Sequence, residues 1–176
     1  TFADLAREYV VKLQSGDTHV RAVWQRFIDE SLRHCEEVYE RLGVTLARTD
    51  VRAESTYNDD LPAVIEDLRA QGLLKESKGA QCIFLDEFKN KNGEITPVIV
   101  QKSDGGYLYA TTDLSAVRYR VGAVGAKRVL YIVDARQKLH LQQVFAVAQV
   151  AGYAPDSVAL EHYPFGTMLG ENHKPF

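Results

Sequence analysis

Residues 128–133, Arg-Val-Leu-Tyr-Ile-Val, are the segment that most narrows the folds open to this chain. An almost unbroken apolar run of strand length is expected where both faces of a parallel sheet are covered. Helical patterns flank it, near 112–124 and over 138–151, and further strand candidates lie at 107–110 and 158–164. Alternating units of this length predict an α/β, doubly wound layer with right-handed crossovers.

The upstream half reads differently. Residues 2–13 and 20–42 carry apolar residues at helical spacing, the second helix closing at Gly43. Its broad stripe, with Trp24, Phe27, Ile28 and Leu32, is expected to be core. Residues 44–50 alternate like a short strand. A third helix starts after Asp60 with Pro62 in its first turn and stops at Gly72. Two strand-like runs, 81–88 and 94–101, meet at Asn92-Gly93, a hairpin signal, and Pro97 assigns the second run to an edge or a bulge.

Composition excludes little. A formal charge of -3 gives no support for a nucleic-acid partner, although a local basic face could hide in it. No apolar run reaches the roughly 20 residues of a membrane span, so no membrane partner is expected. Cys35 and Cys82 are isolated, which favours a reduced, cytoplasmic setting. The chain starts at Thr1 rather than Met, and a piece of a larger protein is expected.

In a doubly wound sheet, ligands bind beyond the carboxyl ends of the strands. Three loops therefore matter: "YATTD" at 109–113, "VDARQKLH" at 133–140 and "FGTMLGENHKPF" at 165–176. Each residue also has a plainer reading. Asp113 could cap a helix, Tyr109 could be a half-buried strand aromatic, and His140 a hydrogen-bonded structural residue. Gln137 alone reads as a surface loop residue, and Gly166 with Gly170 as a simple turn. His34, Cys35 and Glu36 are consecutive on a helix and diverge, so no protein-bound metal is expected. No Gly-x-Ser-x-Gly elbow is present.

Three long stretches, "KSDGGYLYATTDLSAVRYR", "RVLYIVDARQKLHLQQVF" and "EHYPFGTMLGENHKPF", resemble the catalytic domain of bacterial arginyl-tRNA synthetases. The upstream "AREYVVKLQSGD", "ESTYNDDLP" and "GAQCIFLDEFKNKNGE" resemble the same family in the same order. The resemblance implies part of a Rossmann-type class I synthetase catalytic domain: a parallel sheet with helical and β-hairpin insertions. It divides the chain into a helical insertion at 1–34, a core segment at 35–59, a second insertion at 60–106 and the second nucleotide-binding half at 107–176. It implies coupling of L-arginine to tRNA(Arg) through arginyl-adenylate, with ATP and Mg2+, by a monomer in the cytoplasm.

By the same resemblance, Tyr109, Asp113 and Gln137 form the arginine pocket. His140 would lie near the ribose and triphosphate, the backbone around Gly166, Met168 and Leu169 would hold adenine, and Lys174 would begin a loop that meets the phosphates. A carboxylate suits a guanidinium because it accepts two donors side by side. A Tyr-x-x-x-Asp pair therefore argues against a synthetase for an apolar amino acid. The family's His-x-Gly-His motif is absent from these 176 residues, so the segment alone is expected to be inactive. The competing expectation is a non-catalytic nucleotide- or RNA-binding module that reuses the fold.

Overall fold

The structure, a computed structural model, describes residues 1–175, without the side chains of Arg7 and Gln14. The chain forms two compact units, Thr1–Arg52 and the residues from Ala53 onward.

The first unit holds α1 (Phe2–Gln14) and α2 (Thr18–Leu42). Thr1 and Asp4 form a capping box at the start of α1, and the Asp17 carboxylate accepts from the Val20 amide to start α2. Gly43, at φ 68°, ends α2 in the left-handed conformation that its sequence position predicts. The apolar stripe of α2 is not the core expected of it. No residue of α2 is buried, Phe27 is 68% exposed, and Trp24, Ile28 and Leu32 are only half-buried. One neighbouring helix, α1, is too little to cover so wide a face within this unit.

The segment expected as a strand at 44–50 is instead a loop ending in a 3₁₀ turn, Arg48–Asp50. Local polar bonds decide it. The Asp50 carboxylate accepts from the Ala47 amide at 2.8 Å, and Arg48 donates to Glu36 at 2.6 Å.

The second unit begins with a 3₁₀ segment, Glu54–Asp60, leading into α3 (Leu61–Ala70). Pro62 occupies the first turn of α3, and Leu61, Val64, Ile65 and Leu68 form its buried face. Strands β1 (Lys75–Ser77), β2 (Ala80–Ile83) and β3 (Val98–Gln101) then make an antiparallel sheet in that order. The predicted hairpin forms about Gly93 at φ 80°, with Asn90 and Glu94 bonded backbone to backbone at 2.8 Å. Its strands are shorter than 81–88 and 94–101. Only a single Lys89–Ile95 bridge lies between the turn and the ladder, and Pro97 immediately precedes β3.

The strand expected at 107–110 is absent: Tyr107 makes one bridge to Gln101, and α4 (Tyr109–Arg118) starts two residues later. The Leu108 carbonyl accepts from the Thr111 and Thr112 amides, and the buried Thr111 hydroxyl donates to the Val100 carbonyl, tying the helix to β3. A π-turn at Tyr119–Ala123 completes the helical stretch.

The remaining elements match their sequence patterns. Strand β4 (Arg128–Asp134) and strand β5 (Ala159–Phe165) pair in parallel, with α5 (Lys138–Val150) between them in sequence. One core links α3, the hairpin sheet, α4, β4 and α5, with Leu68, Val100, Leu114, Val117, Val144 and Val147 fully buried. Strand β4, however, is not covered on both faces. Val129 and Tyr131 are buried, whereas Leu130 is 47% and Ile132 68% exposed. Among the described residues of this unit, packing is confined to the face carrying Val129 and Tyr131.

Candidate functional site

A cleft of about 570 Å³ opens at the carboxyl end of β4, between the start of α4 and the start of α5. That is where an α/β layer is expected to receive a ligand. Its lining is assembled from several elements of the second unit. Glu54 comes from the 3₁₀ segment, Tyr109 and Asp113 from α4, Tyr131 and Asp134 from β4, and Gln137 and His140 from the β4–α5 turn and the first turn of α5.

Two spacings explain the convergence. Tyr109 and Asp113 are four residues apart on one helix and so share a face. Gln137 and His140 are three apart and do the same. The 3₁₀ turn Ala135–Gln137 that delivers Gln137 is set by Asp134, whose carboxylate accepts from the Arg136 amide at 2.8 Å and its side chain at 2.9 Å. The Arg136 side chain first, and the amide second, hold the Asp134 carboxyl down at about 2.

Asp113 does not cap its helix. It is the fifth residue of α4, the N-cap position is Leu108, and no side chain caps there. Its carboxylate instead meets His140, Nε2 to Oδ2 at 2.6 Å, with both side chains about one-third exposed. Tyr109 is 70% exposed at the mouth, in a helix rather than a strand. Below it, the Tyr131 hydroxyl accepts from Arg120 at 2.8 Å, and burial pushes that phenol above its usual range.

The structure therefore brings Tyr109, Asp113, Gln137 and His140 into one cleft. Gly166, Met168, Leu169 and Lys174 lie outside its lining, on the loop after β5. That loop folds back on itself through a Leu169–Pro175 bridge and a Gly170 amide bond to the Lys174 carbonyl at 2.9 Å. Its tie to the cleft is the Thr167 hydroxyl, 3.4 Å from Asp134. Among the described residues no group of three or more His, Cys, Asp or Glu could hold a metal ion. No described helix is long and apolar enough to cross a membrane.

Sequence reasoning missed Glu54 and Tyr131 as lining residues, whereas Phe165 opens one of the three loops it singled out. Tyr131 is hidden in an apolar strand, and its place follows only from which face of β4 packs inward. Glu54 lies 59 positions before Asp113 by their numbers, and nothing in local spacing joins them.

Residues 1–176 match the family described as tRNA synthetases class I (R), catalytic domain. The chain is 61% identical over 175 residues to an arginine–tRNA ligase of Hahella chejuensis, covering 99% of this chain and 30% of that one. It is 60% identical, with the same coverage, to an arginine–tRNA ligase of Ectopseudomonas mendocina. Among solved structures, the arginyl-tRNA synthetase of Plasmodium falciparum superposes with a TM-score of 0.82 at 28% identity, over 94% of this chain and 28% of that one. A putative arginyl-tRNA synthetase of Campylobacter jejuni shares the fold, with a TM-score of 0.70 at 18% identity. The chain thus spans about 30% of the length of the curated relatives it matches. A matching family over the whole chain, together with a cleft at the carboxyl end of a parallel strand, makes this chain a member of the class I arginyl-tRNA synthetase catalytic-domain family.

Proposed function

We propose that the cleft is the arginine site of an arginine–tRNA ligase, which activates L-arginine with ATP and transfers it to tRNA(Arg). The observation that carries this reading is the Asp113 carboxylate, half-buried one helical turn below Tyr109 in a cleft lined by a second carboxylate, Glu54. A guanidinium is a planar fork of five donors that binds carboxylates side by side. Asp113 receives that fork, Glu54 offers further acceptors, and the Tyr109 hydroxyl takes another donor. Gln137, at the opposite wall, suits the α-amino end.

For ATP, we assign His140 to the ribose and triphosphate side, the backbone at Gly166, Met168 and Leu169 to adenine, and Lys174 to the start of a phosphate-contacting loop. The tie between Thr167 and Asp134 supports placing that loop beside the arginine site. Adenylate formation is in-line attack of the arginine carboxylate on the α-phosphorus, with pyrophosphate leaving, so the protein's part is to position and to stabilise charge. Mg2+ belongs with the triphosphate. The described residues do not fit a resident metal site.

The division into insertions at 1–34 and 60–106 and core at 35–59 and 107–176 is retained as a proposal. So are a monomeric state and a cytoplasmic location, which suit tRNA charging. The 176-residue segment by itself is proposed to be inactive, because the His-x-Gly-His element is not in it.

The test is pyrophosphate exchange by the intact protein with tRNA(Arg) present and arginine, lysine or citrulline as the amino acid. Exchange that depends on arginine and is lost with the neutral citrulline supports a carboxylate pocket. Equal exchange with lysine or citrulline would contradict it.

A further inference from the structure

We propose that His140 is a positioning residue for Asp113, fixing the carboxylate that receives the substrate's guanidinium. The proposal rests on the reading of this cleft as the arginine site.

His140 Nε2 lies 2.6 Å from Asp113 Oδ2. An ionised carboxylate only accepts hydrogen bonds, so Nε2 must carry the proton in this pair. A ring carrying its proton on Nε2 meets that requirement.

No other hydrogen bond to the Asp113 carboxylate occurs among the described residues. Asp113 is not a cap, and its backbone alone leaves two side-chain torsions to settle. The imidazole is the group that settles them. A carboxylate has about four acceptor sites, so one bond from His140 leaves both oxygens able to take a forked donor.

The imidazole itself has a firm base. It stands in the first turn of α5, next to Leu141 and ahead of Val144 and Val147, which are buried at 4%, 0% and 0% exposure. Asp113 in turn is followed by Leu114 at 0% exposure. The hydrogen bond therefore joins the starts of two well-packed helices across the mouth of the cleft. Because Gln137 leads into α5, the same anchor sets the separation between the two walls that grip opposite ends of the substrate. With Nε2 committed to Asp113, the strongest effect of losing His140 falls on arginine rather than on ATP.

The experiment is steady-state pyrophosphate exchange by the intact protein in the presence of tRNA(Arg), with arginine and ATP varied separately. Arginine-dependent exchange by the unmodified protein is established first, and its absence would overturn the arginine-site reading and this proposal with it. His140→Leu is then expected to raise the arginine KM about 10- to 100-fold, the scale of a lost hydrogen bond to a charged group. The ATP KM should rise less than the arginine KM, because Nε2 is committed to Asp113, and His140→Gln, which keeps a donor of similar reach, should recover most of the loss.

In an Asp113→Asn background, His140→Leu should add less than about twofold, because the two residues act as one unit. If His140→Leu does not fold, His140→Asn, whose shorter amide falls short of Asp113, is read in the same way. An unchanged arginine KM, a rise in the ATP KM instead, or independent multiplication of the two effects would each overturn the positioning role while leaving the arginine site intact.

Discussion

Arg118 donates to Asp60 at 2.6 Å across 58 residues of sequence, and Ser115 donates to the other oxygen of the same carboxylate at 2.7 Å. One acid at the N-terminal edge of α3 thus holds the far side of α4, the helix whose near side carries Tyr109 and Asp113. The two bonds differ in worth. The ion pair is about one-third exposed on both sides and contributes little. The Ser115 hydroxyl is buried at 1% exposure, and a buried donor left without a partner is costly.

Asp60→Ala should therefore lower stability by about 1–3 kcal/mol, mostly through the orphaned hydroxyl. Asp60→Asn keeps an acceptor and should lose less than about 1 kcal/mol. Urea midpoints of the two variants check this, and equal midpoints would contradict it.

Phe27 and Leu68 make a sharper contrast, since both sit on apolar helical stripes. Phe27 is 68% exposed and Leu68 is fully buried. Phe27→Ala should stay within about 0.5 kcal/mol of the unmodified chain, and Leu68→Ala should cost about 2–5 kcal/mol. Chemical denaturation of the two variants gives the answer, and a large loss from Phe27→Ala would show that its face is covered.

The reason these two diverge also says how much of the fold is legible in sequence. Period and caps locate α1, α2, α3, α5, β4 and β5 within a few residues, because Gly43, Pro62 and the apolar spacing act locally. Burial is not local. Phe27 and Ile132 have the spacing of core residues, yet each is 68% exposed.

Residues 107–110 mislead for a related reason. Their alternating aromatics look like a strand, but helix initiation at Leu108 and the Thr111 bond to Val100 win. The family resemblance, not spacing, points to Tyr109, Asp113 and Gln137, and all three line one cleft. Glu54 and the Asp113–His140 bond depend on tertiary folding, and no spacing predicts them.

Asp134 yields a pH prediction. An ordinary aspartate titrates at 3.8, and the Arg136 side chain together with its amide lowers Asp134 to about 2 in the folded protein. A depressed carboxyl adds stability at pH values above its unfolded value, and that contribution disappears as pH falls through the folded one. The Asp134–Arg136 turn should accordingly be intact above about pH 4 and loosen toward pH 2. Carbon-detected NMR of the side-chain carboxyl should give a midpoint near 2, moving upward in Arg136→Ala. A midpoint near 3.8 would show that Asp134 does not organise the turn leading to Gln137.

The most direct test of the arginine-site reading is Asp113→Asn in the intact protein, with arginine-dependent kcat/KM and melting temperature measured together. The substitution keeps the shape and one acceptor but removes the charge. A guanidinium taken from water would face an uncompensated pairing, so kcat/KM should fall about 100- to 4000-fold, or about 3–5 kcal/mol. Asp113 is half-buried and caps nothing, so the melting temperature should change little. A folded Asp113→Asn protein that uses arginine as well as the unmodified one would contradict the assignment of this cleft.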